Sequence, residues 1–578
     1  MVTSSQGPKR TLSKEKYSKV VKECQETGVS YVDTCFRAED SSVYKSIGFK
    51  NKLIAGKISW KRPKEITSEP YALFKDKIGP NMNIQFFGFG PNEWLIAAAV
   101  ALSQDKNLIY KILPKDQYNF NHGIFKIWIW DYGTWTKVLI DDKLPVSDNR
   151  LIFTSSQCGQ IFWLSLLEKA YAKLKGNYET MSTFGNLTDA LTDFSGSPTE
   201  QIKINLDDDE KELFRLIAEE INRKSIVCLK TREDCTDSYS NGLKQNHFYV
   251  VTSVKKPASG TFKKNSKDGI ASLKIIDTIY PEKRNCRSSF LDEKYHEQWI
   301  NLEKFSTNFE SITICRLHIE DNRFVETRHS NMSSQFCFDV TNESEEIMID
   351  LIQKNDQPER FGFKIYQVEL NRRYRLHNPS LCNMIHFHDT IKTRSIFHRI
   401  KLAHGRYIIK PVSKSDCDLM IRLYSKERSN LRVLDEDMPK KNFFRFLAPK
   451  YPKFVTKITV QSITGIEKQD RFGSANPYLI IRCGGDTVKS TSINNTLDPD
   501  FKDFSAIFYH GASDTIMIEV WNNSLIFDSF IGQVEVTTDL SKSESSTLEE
   551  ELCGRKKGHK RPGIVKYKVH TSEDLKSL

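Results

Sequence analysis

The sequence predicts an α+β region followed by two β-sandwiches. Apolar residues recur at helical spacing in Trp94–Leu113 and Ile161–Gly176, as in buried helices. Beyond Ser334 this helical spacing disappears, and short runs rich in β-branched and aromatic residues replace it. The 578 residues are enough for about four domains of roughly 150 residues, each able to bury its own core.

The α+β region begins with a polar segment and then alternates helices with strands. Ser13–Trp60 is polar with scattered aromatic residues, which is typical of a strap that lies over a domain. Gly123–Pro145 alternates large apolar residues with others and predicts a hairpin. The β-rich runs His247–Lys256 and Ala271–Pro281 complete an α+β domain pair over about residues 36–325.

Two β-sandwiches are predicted in the rest of the chain. Runs such as FGFKIYQVEL, RYIIKPVS and LMIRLYS predict the strands of the first sandwich, over Ser334–Leu447. The pattern restarts after Phe454 with KITVQSI, PYLIIRC, TIMIEVW and FIGQVEV, which predicts a second sandwich of about 125 residues. Pro449 and Pro452 favour a hinge between the two sandwiches.

The composition excludes several classes of protein. With 85 Lys and Arg against 74 Asp and Glu, the net charge is +11, and its mild, dispersed character makes nucleic acid an unexpected partner. The apolar stretch Trp94–Leu102 is far shorter than the roughly 20 residues of a membrane-spanning helix. Because the opening residues lack a secretory signal, we expect a cytoplasmic protein whose 12 cysteines are reduced and form neither a zinc site nor disulfides.

A series of long motifs follows in one order along the chain. They are WKRPKEI, GIFKIWIWDYGTW, VLIDDKLP, FWLSLLEKAYAKLKGNYE, DFSG, NGLKQNHFYVVTSV, QWINLEKF, FKIYQVELNRRYRLH and NPYLIIRCGG. In these motifs the chain resembles the calpain family, in particular the group that ends in a C2 domain, the calpain-5 and calpain-6 types. The resemblance implies a papain-like protease core of two subdomains, then the calpain domain III β-sandwich and a C2 domain. With an N-terminal segment first, the implied domains are residues 1–35, 36–198, 199–330, 331–450 and 453–578.

The resemblance also implies where an active site would lie. Calpains carry their nucleophilic cysteine in a Gly-Asp-Cys-Trp run that opens a long helix, since the positive end of a helix lowers the pKa of a thiol. The matching run here is GPNEW, and Glu93 stands at the cysteine position. His247 matches the catalytic histidine. Tyr280 stands where the family has asparagine, and Gln85 is the candidate for the oxyanion donor.

Glu93 decides the expected chemistry. Attack of a carboxylate on a peptide carbonyl would form a mixed anhydride from a poor nucleophile and a poor leaving amine, and carboxylate nucleophiles normally serve sugars and phosphates. Peptide hydrolysis by the family mechanism is therefore not expected. We predict that Glu93 and His247 face one another as an ion pair in place of thiolate and imidazolium. The alternative is that His247 is a hydrogen-bonded histidine of the core.

Calcium ligands are sparse in the sequence. Glu179 matches a calcium ligand of the calpain core, but residues 80–84 offer no carboxylate, and the basic run Lys283–Ser289 replaces an acidic loop. Calcium-binding C2 domains use about five aspartates, of which the matching loops here retain Asp470 and Asp528. Since calcium needs about six or more oxygen ligands, we expect calcium binding to be weak or lost, and we expect no other cofactor.

Three functions remain open. The leading hypothesis is a non-proteolytic scaffold or regulatory binding protein, whose partners the resemblance to the calpain-6 type places in the cytoskeleton, including microtubules. The first alternative is a calcium-dependent cysteine-type endopeptidase, as in active calpains. The second is a peripheral membrane adaptor that binds anionic lipid through the C2 domain without calcium. The basic residues expected to contact the lipid are Arg555, Lys556, Lys557, Lys560 and Arg561.

Overall fold

A computed structural model describes most of the chain. The described residues are 17–53, 57–68, 70, 86–87, 92–114, 122–156, 159–235, 243–255, 271–278, 297–301, 305–355, 357–440, 451–469, 474–524, 527–536, 546–556 and 559–578. The chain divides into two compact units. The first unit comprises residues 1–323, 349–358 and 394–398, and the second comprises residues 324–348, 359–393 and 399–578.

The first unit contains all the α-helices of the described residues. They are α1 (Tyr17–Thr27), α2 (Asp40–Val43), α3 (Ile47–Leu53), α4 (Pro63–Ile66), α5 (Glu93–Ser103), α6 (Lys106–Ile112), α7 (Trp163–Lys175), α8 (Tyr178–Phe184), α9 (Leu187–Ser195), α10 (Glu210–Asn222) and α11 (Phe305–Asn308). Its strands are β1 (Ser59–Lys61), β2 (Phe86–Phe87), β3 (Ile124–Asp131), β4 (Thr134–Asp141), β5 (Leu144–Ser147), β6 (Arg150–Leu151), β7 (Ser155–Ser156), β8 (Thr199–Lys203), β9 (Ile226–Thr231), β10 (Phe248–Lys255), β11 (Ser272–Asp277), β12 (Glu297–Asn301) and β13 (Phe309–Cys315).

The first long apolar stretch forms two helices. Every residue of α5 from Trp94 to Ser103 is buried. The helix ends before Asp105, whose side chain accepts a hydrogen bond from the backbone N–H of Asn107 and so caps α6. The prediction of one helix over Trp94–Leu113 was therefore wrong at this junction, because the local cap replaces the hydrogen bonds that would continue the helix.

The hairpin and the second helix are present as predicted. β3 and β4 pair from Ile124 opposite Asp141 to the turn, where Tyr132 and Gly133 have φ angles of 46° and 94°. Positive φ at both central residues is the geometry of a tight two-residue hairpin turn. Gly176 follows α7 with a φ of 99°, a conformation that glycine adopts without a steric penalty.

The first unit has a core around α5 and, beside it, a six-stranded antiparallel sheet. The strand order is β12-β11-β10-β9-β13-β8. Because α5 is apolar on all sides, it is buried, and it packs against α7 and α9 as well as against β9 and β10. The register of β10 and β11 places Tyr249 opposite Asp277. The first residue of α5 and the residues that begin β10 and end β11 are thereby brought together.

The second unit is built mainly of strands, with a short 3-10 helix at Pro379–Leu381. In order they are β14 (Phe324–Asn331), β15 (Gln335–Gln353), β16 (Arg360–Val368), β17 (Asn383–Lys392), β18 (Ser395–Ser413), β19 (Asp418–Ser425), β20 (Arg432–Leu434), β21 (Phe454–Thr464), β22 (Pro477–Cys483), β23 (Asp486–Lys489), β24 (Asp500–His510), β25 (Ile516–Asn522), β26 (Ser529–Val536), β27 (Ser546–Cys553) and β28 (Lys560–Ser572). β15 and β18 are long, and one end of each belongs to the first unit.

The strands of the second unit form two separate sheet systems, as predicted. The first has the order β14-β19-β15-β18-β16-β17, with β20 paired to β15. The second has the order β23-β22-β25-β26-β27-β28-β21-β24. Together with the α+β first unit, this agrees with the fold class expected from the sequence.

The two sandwiches contact each other directly. Buried Glu369, just after β16, lies 2.6 Å from Arg372 and 2.8 Å from Lys457 of β21. The side chain of Asn371 exchanges two hydrogen bonds with the backbone of Ile507. These contacts join the two sandwiches beside the predicted hinge, which stays a prediction; Pro449 lies outside the described residues.

Candidate functional site

Glu93 is held at the amino end of a fully buried helix. It is the first residue of α5, and Asn92 occupies the N-cap position. The rest of α5 is in the core, which fixes the place of Glu93, while 44% of its own side chain is exposed. The unpaired N–H groups at this helix end favour a negative charge.

His247 lies directly before β10 and is almost completely buried. Its backbone N–H donates to the Thr231 hydroxyl over 2.8 Å, and its carbonyl accepts from the Thr231 N–H over 2.9 Å. The Tyr249 ring packs edge-on against the imidazole at 5.0 Å. These contacts fix both the backbone and the ring plane of the histidine.

Glu93 and His247 face one another as expected. Oε2 of Glu93 lies 3.9 Å from Nδ1 of His247. That distance allows an attraction between a carboxylate and an imidazolium but is too long for a direct hydrogen bond. The alternative of a buried, hydrogen-bonded histidine also describes part of the arrangement, because the other ring nitrogen is hydrogen-bonded.

Asp277 is a site residue that sequence reasoning missed. Its Oδ1 is 2.7 Å from Nε2 of His247, and its Oδ2 is 2.7 Å from the Lys244 ammonium. Burial opposes ionisation of Asp277, but the hydrogen bond from His247 and the charges of His247 and Lys244 outweigh it and hold the pKa of Asp277 below its usual range. The available signal was an acidic residue at the end of the apolar run SLKIID, in the strand that follows the histidine strand.

Two predicted site residues cannot be placed. Tyr280, aligned to the family asparagine through the proline that follows it, lies outside the described residues. So does Gln85, the oxyanion candidate. Both assignments stay predictions. Asp277, three positions before Tyr280, is the residue that contacts the imidazole on the side away from Glu93.

In space, the imidazole of His247 lies between the carboxyl groups of Glu93 and Asp277. Each nitrogen of the imidazole faces one of the two acids. The arrangement offers no sulfur nucleophile: in the described part of the chain, no cysteine is hydrogen-bonded or ion-paired to His247. Cys35 is in the strap, where its backbone donates to Asp33, and Cys158 lies outside the described residues.

The predicted calcium ligand of the core is engaged by protein donors. The Glu179 carboxylate accepts hydrogen bonds from the backbone N–H groups of Lys45 and Ser46 and from the Ser46 hydroxyl. Burial raises the pKa of Glu179, but the three hydrogen bonds together outweigh burial and hold that pKa below its usual range. Because the donors point at the carboxylate, Glu179 does not fit the role of a metal ligand in this arrangement.

Groups of three or more His, Cys, Asp or Glu side chains that could hold a metal ion are absent from the described residues. Asp528 of the second sandwich accepts a hydrogen bond from the Tyr478 hydroxyl over 2.7 Å, and Asp470 lies outside the described residues. Weak or lost calcium binding therefore stays a prediction.

The predicted lipid-contacting residues lie at the β27–β28 connection, and several have partners within the protein. The Arg555 guanidinium lies over the rings of Trp521 and Phe530, at 5.2 and 4.8 Å. The Lys560 ammonium is 2.7 Å from Glu551, and Arg561 is 3.6 Å from Glu467. Lys556 is at the same connection, and Lys557 lies outside the described residues.

Within the described residues, no helix has the length and apolar character needed to cross a membrane.

Comparisons with known proteins identify each part of the chain. The model of the calpain family cysteine protease matches residues 31–273, that of calpain large subunit domain III matches residues 315–424, and that of the C2 domain matches residues 455–552. The chain belongs to the calpain family. Calpain-5 of Rattus norvegicus is 29% identical, with 98% of each chain covered. The calpain-2 catalytic subunit of Homo sapiens is 26% identical, with 73% of this chain and 69% of the relative covered.

The chain is also similar to solved C2 domains. A C2 domain of plant extended synaptotagmin 1 is 19% identical and covers 21% of this chain and 97% of its own, with a TM-score of 0.19. Both Glu93 and His247 fall inside the calpain protease match, and Asp528 falls inside the match to the C2 family model. The order of protease core, domain III and C2 domain is therefore as the sequence motifs implied.

Proposed function

We propose that this calpain-family chain does not hydrolyse peptides and acts as a scaffold or regulatory binding protein. The observation that carries the proposal is the carboxylate of Glu93 at the helix end, 3.9 Å from Nδ1 of His247. A calpain-type reaction needs a thiolate there to form an acyl intermediate, which a carboxylate can form only as an unstable mixed anhydride.

The residual site serves structure in this proposal. Glu93 belongs to α5, whereas Asp277 ends β11 and His247 directly precedes β10, two strands of the six-stranded sheet of the same unit. Glu93 and His247 face each other across the region where an active calpain would bind substrate. Such a contact holds the two subdomains together without a metal ion, which suits a protein whose surface binds partners.

Restoring the thiol tests the proposal directly. The purified chain, incubated with calcium, casein and an epoxide probe for cysteine proteases, is expected to cleave no casein and to show no labelling near residue 93. Glu93→Cys places a thiol at the helix end beside His247, and we expect the probe to label that position. Glu93→Ser is the matched control and should remain unlabelled.

Cleavage of casein by the unaltered chain would contradict the proposal and favour the calcium-dependent endopeptidase. Failure of Glu93→Cys to react would also count against it, because the helix end and His247 would then lack the electrostatics on which the argument depends. Mass spectrometry of the labelled peptide distinguishes the substituted position from the exposed Cys35.

Protein partners in the cytoplasm, including the cytoskeleton, complete the proposal. The cytoskeletal partner class is supported by the resemblance of the sequence to calpain-6-type chains, and microtubule co-sedimentation tests it. Liposome co-sedimentation tests the membrane alternative. We expect the microtubule assay to be positive and the liposome assay negative, because Lys560 and Arg561 already face acidic partners.

A further inference from the structure

One face of the first sandwich carries a row of three side chains across its outer strands. The register places Phe387 of β17 opposite Lys364 of β16, and Lys364 opposite Lys410 of β18. β17 is the last strand at this end of the sheet order. Directly opposed residues in antiparallel strands point to the same face, with Cβ atoms about 4.5–5.5 Å apart. These three residues are named the lysine row.

The two ammonium groups of the lysine row lack an acidic partner in the described part of the chain. The charged groups that face Lys410 are Arg375 and Lys364, both positive. Burial, together with these charges, holds the pKa of Lys410 below its usual range. Arg375 itself lies 3.6 Å from Asp437, an acid that His377 and Lys576 also approach. Opposed like charges destabilise a strand pair, so the row is suited to an anionic ligand.

Apolar side chains are exposed beside these lysines. Phe387 is 46% exposed and Met384 is 50% exposed, although both are large apolar residues on an edge strand. Lys364 Nζ lies 5.2 Å from the centre of the Phe387 ring. Met384 belongs to the adjacent row, whose other members, Tyr366 and Ile408, are buried in a small hydrophobic cluster. The lysine row therefore lies at the solvent-accessible edge of a sheet face whose next row is largely buried.

We propose that the lysine row binds an extended acidic segment of a partner protein. Side chains on alternate residues of an extended segment point to one side and are about 7 Å apart. A segment that crosses the strands can thus place two carboxylates over Lys410 and Lys364 and an apolar side chain on Phe387 and Met384. The apolar end of the row favours such a polypeptide over an isolated anion. This inference rests on the proposed function, because it names the partner class of a binding protein.

Fluorescence anisotropy with a defined probe tests the row. The probe is a labelled peptide of the pattern Glu-Ser-Glu-Ser-Phe, added to the full chain. We expect saturable binding that weakens with added salt, and a loss of at least about fivefold in affinity for Lys364→Glu with Lys410→Glu and for the charge-neutral pair Lys364→Gln with Lys410→Gln. Phe387→Ser should weaken binding without changing its salt dependence.

The matched control is Lys401→Glu with Lys426→Glu, which makes the same charge change on exposed lysines of the same sandwich. We expect it to alter the affinity by less than about twofold. Lys364→Glu alone separates binding from folding: it creates an opposed Glu and Lys pair, so the melting temperature should rise while peptide binding falls.

Peptide binding that is unchanged in the row variants, absent from the unaltered chain, or equally lost in the control pair would overturn the proposal. Row-dependent binding to phosphatidylserine vesicles in place of the peptide would overturn it as well, since the ligand would then be a lipid surface. The assay does not measure catalysis. Casein cleavage would contradict the proposed function but not this inference. Failure of peptide binding alone would contradict this inference but not the proposed function.

Discussion

At residue 93, two roles of a nucleophile can be considered separately: carrying a negative charge at a helix end and attacking a carbonyl carbon. A helix amino end stabilises a negative charge, whether the charge is on sulfur or on oxygen. Nucleophilic attack on a peptide carbonyl, in contrast, depends on the atom itself, and a carboxylate oxygen is a poor substitute for a thiolate. Glu93 therefore keeps an acidic group at the helix end beside His247, with oxygen in place of the sulfur that the proposed function regards as lost.

A buried acid lies behind Glu93. Glu168 of α7 accepts hydrogen bonds from Asn92 and from the N–H and hydroxyl of Thr154. Burial raises the pKa of Glu168 to about 7, although these three hydrogen bonds act in the opposite direction. The folded chain therefore binds a proton at mildly acidic pH that the unfolded chain has already released.

Glu168→Gln should remove this pH dependence. Because the pKa of Glu168 is raised on folding, the stability of the unaltered chain falls as the pH rises from 4.5 to about 7, by about 3 kcal/mol in total. The glutamine variant should lack that fall in stability, because its side chain does not ionise. The fold can accommodate the amide, since Asn92 can turn so that its presently unpartnered Oδ1 accepts a hydrogen bond from the glutamine. Urea unfolding at several pH values measures the free energy of unfolding of both chains. The exposed Glu23→Gln is the control, and equal pH slopes in Glu168→Gln and the unaltered chain would contradict the prediction.

A buried ion pair joins the strap to α7, and a second one joins α7 to β4. Lys173 Nζ lies 2.6 Å from Asp33 of the strap and 2.7 Å from the carbonyl of Leu139. One turn earlier on α7, Lys169 pairs with Asp141 at the end of β4. Residues four apart on a helix share a face, so both lysines point into the same buried layer. The strap is thereby fixed to the core through charges that water does not screen.

Lys173→Met should destabilise the first unit by about 3–5 kcal/mol. The substitution removes one partner and leaves Asp33 buried without its cation, which costs more than the pair itself contributes. Denaturant unfolding measures the change. Lys19→Met, at an exposed pair with Glu23, is the control and should change stability by less than about 1 kcal/mol.

A double substitution distinguishes the mechanism. Asp33→Asn combined with Lys173→Met removes both charges, so it should recover part of the stability lost in Lys173→Met. Strictly additive losses would show that the charge pair is not the cause.

At the scale of the whole molecule, two buried acids, Glu369 and Glu168, change the free energy of unfolding with pH in opposite directions. Glu369, which lies between the two sandwiches of the second unit, is fully buried beside Arg372 and Lys457. Burial raises its pKa, but the two cations outweigh burial and lower the pKa of Glu369 to about 2. Its contribution is therefore complete above pH 4.5 and is lost as the pH falls towards 2, whereas that of Glu168 changes between pH 4.5 and about 7.

Glu369→Gln should loosen both sandwiches together. Removing the carboxylate leaves two buried cations without their partner, and we expect a loss of about 3–5 kcal/mol at neutral pH. Hydrogen exchange measured by mass spectrometry should show faster exchange in β16 and in β21. Glu549→Gln, at an exposed pair with Lys566, should leave exchange unchanged. Faster exchange confined to one sandwich would contradict the role of Glu369 in joining them.

Part of the fold and site could be predicted because the relevant signals are local. Helical spacing identified α7, alternation identified the β3–β4 hairpin, and the motif around residue 93 predicted that Glu93 begins a buried helix and faces His247. The break between α5 and α6 was missed because a cap at Asp105 outweighed continuous apolar spacing. Asp277 was missed because its approach to His247 depends on the register of two strands, which alignment by a nearby proline did not reveal.

The sequence by itself determined the calpain family, the order of its domains and the carboxylate at position 93, since these depend on residue identity along the chain. Only the tertiary structure decided that Asp277 orients the histidine, that Glu179 is engaged by the strap, and that Lys364 and Lys410 lie side by side. Each of these depends on residues far apart in the chain, whose meeting is set by packing and strand register. Side-chain chemistry follows from sequence, but the partner that each side chain meets follows from the fold.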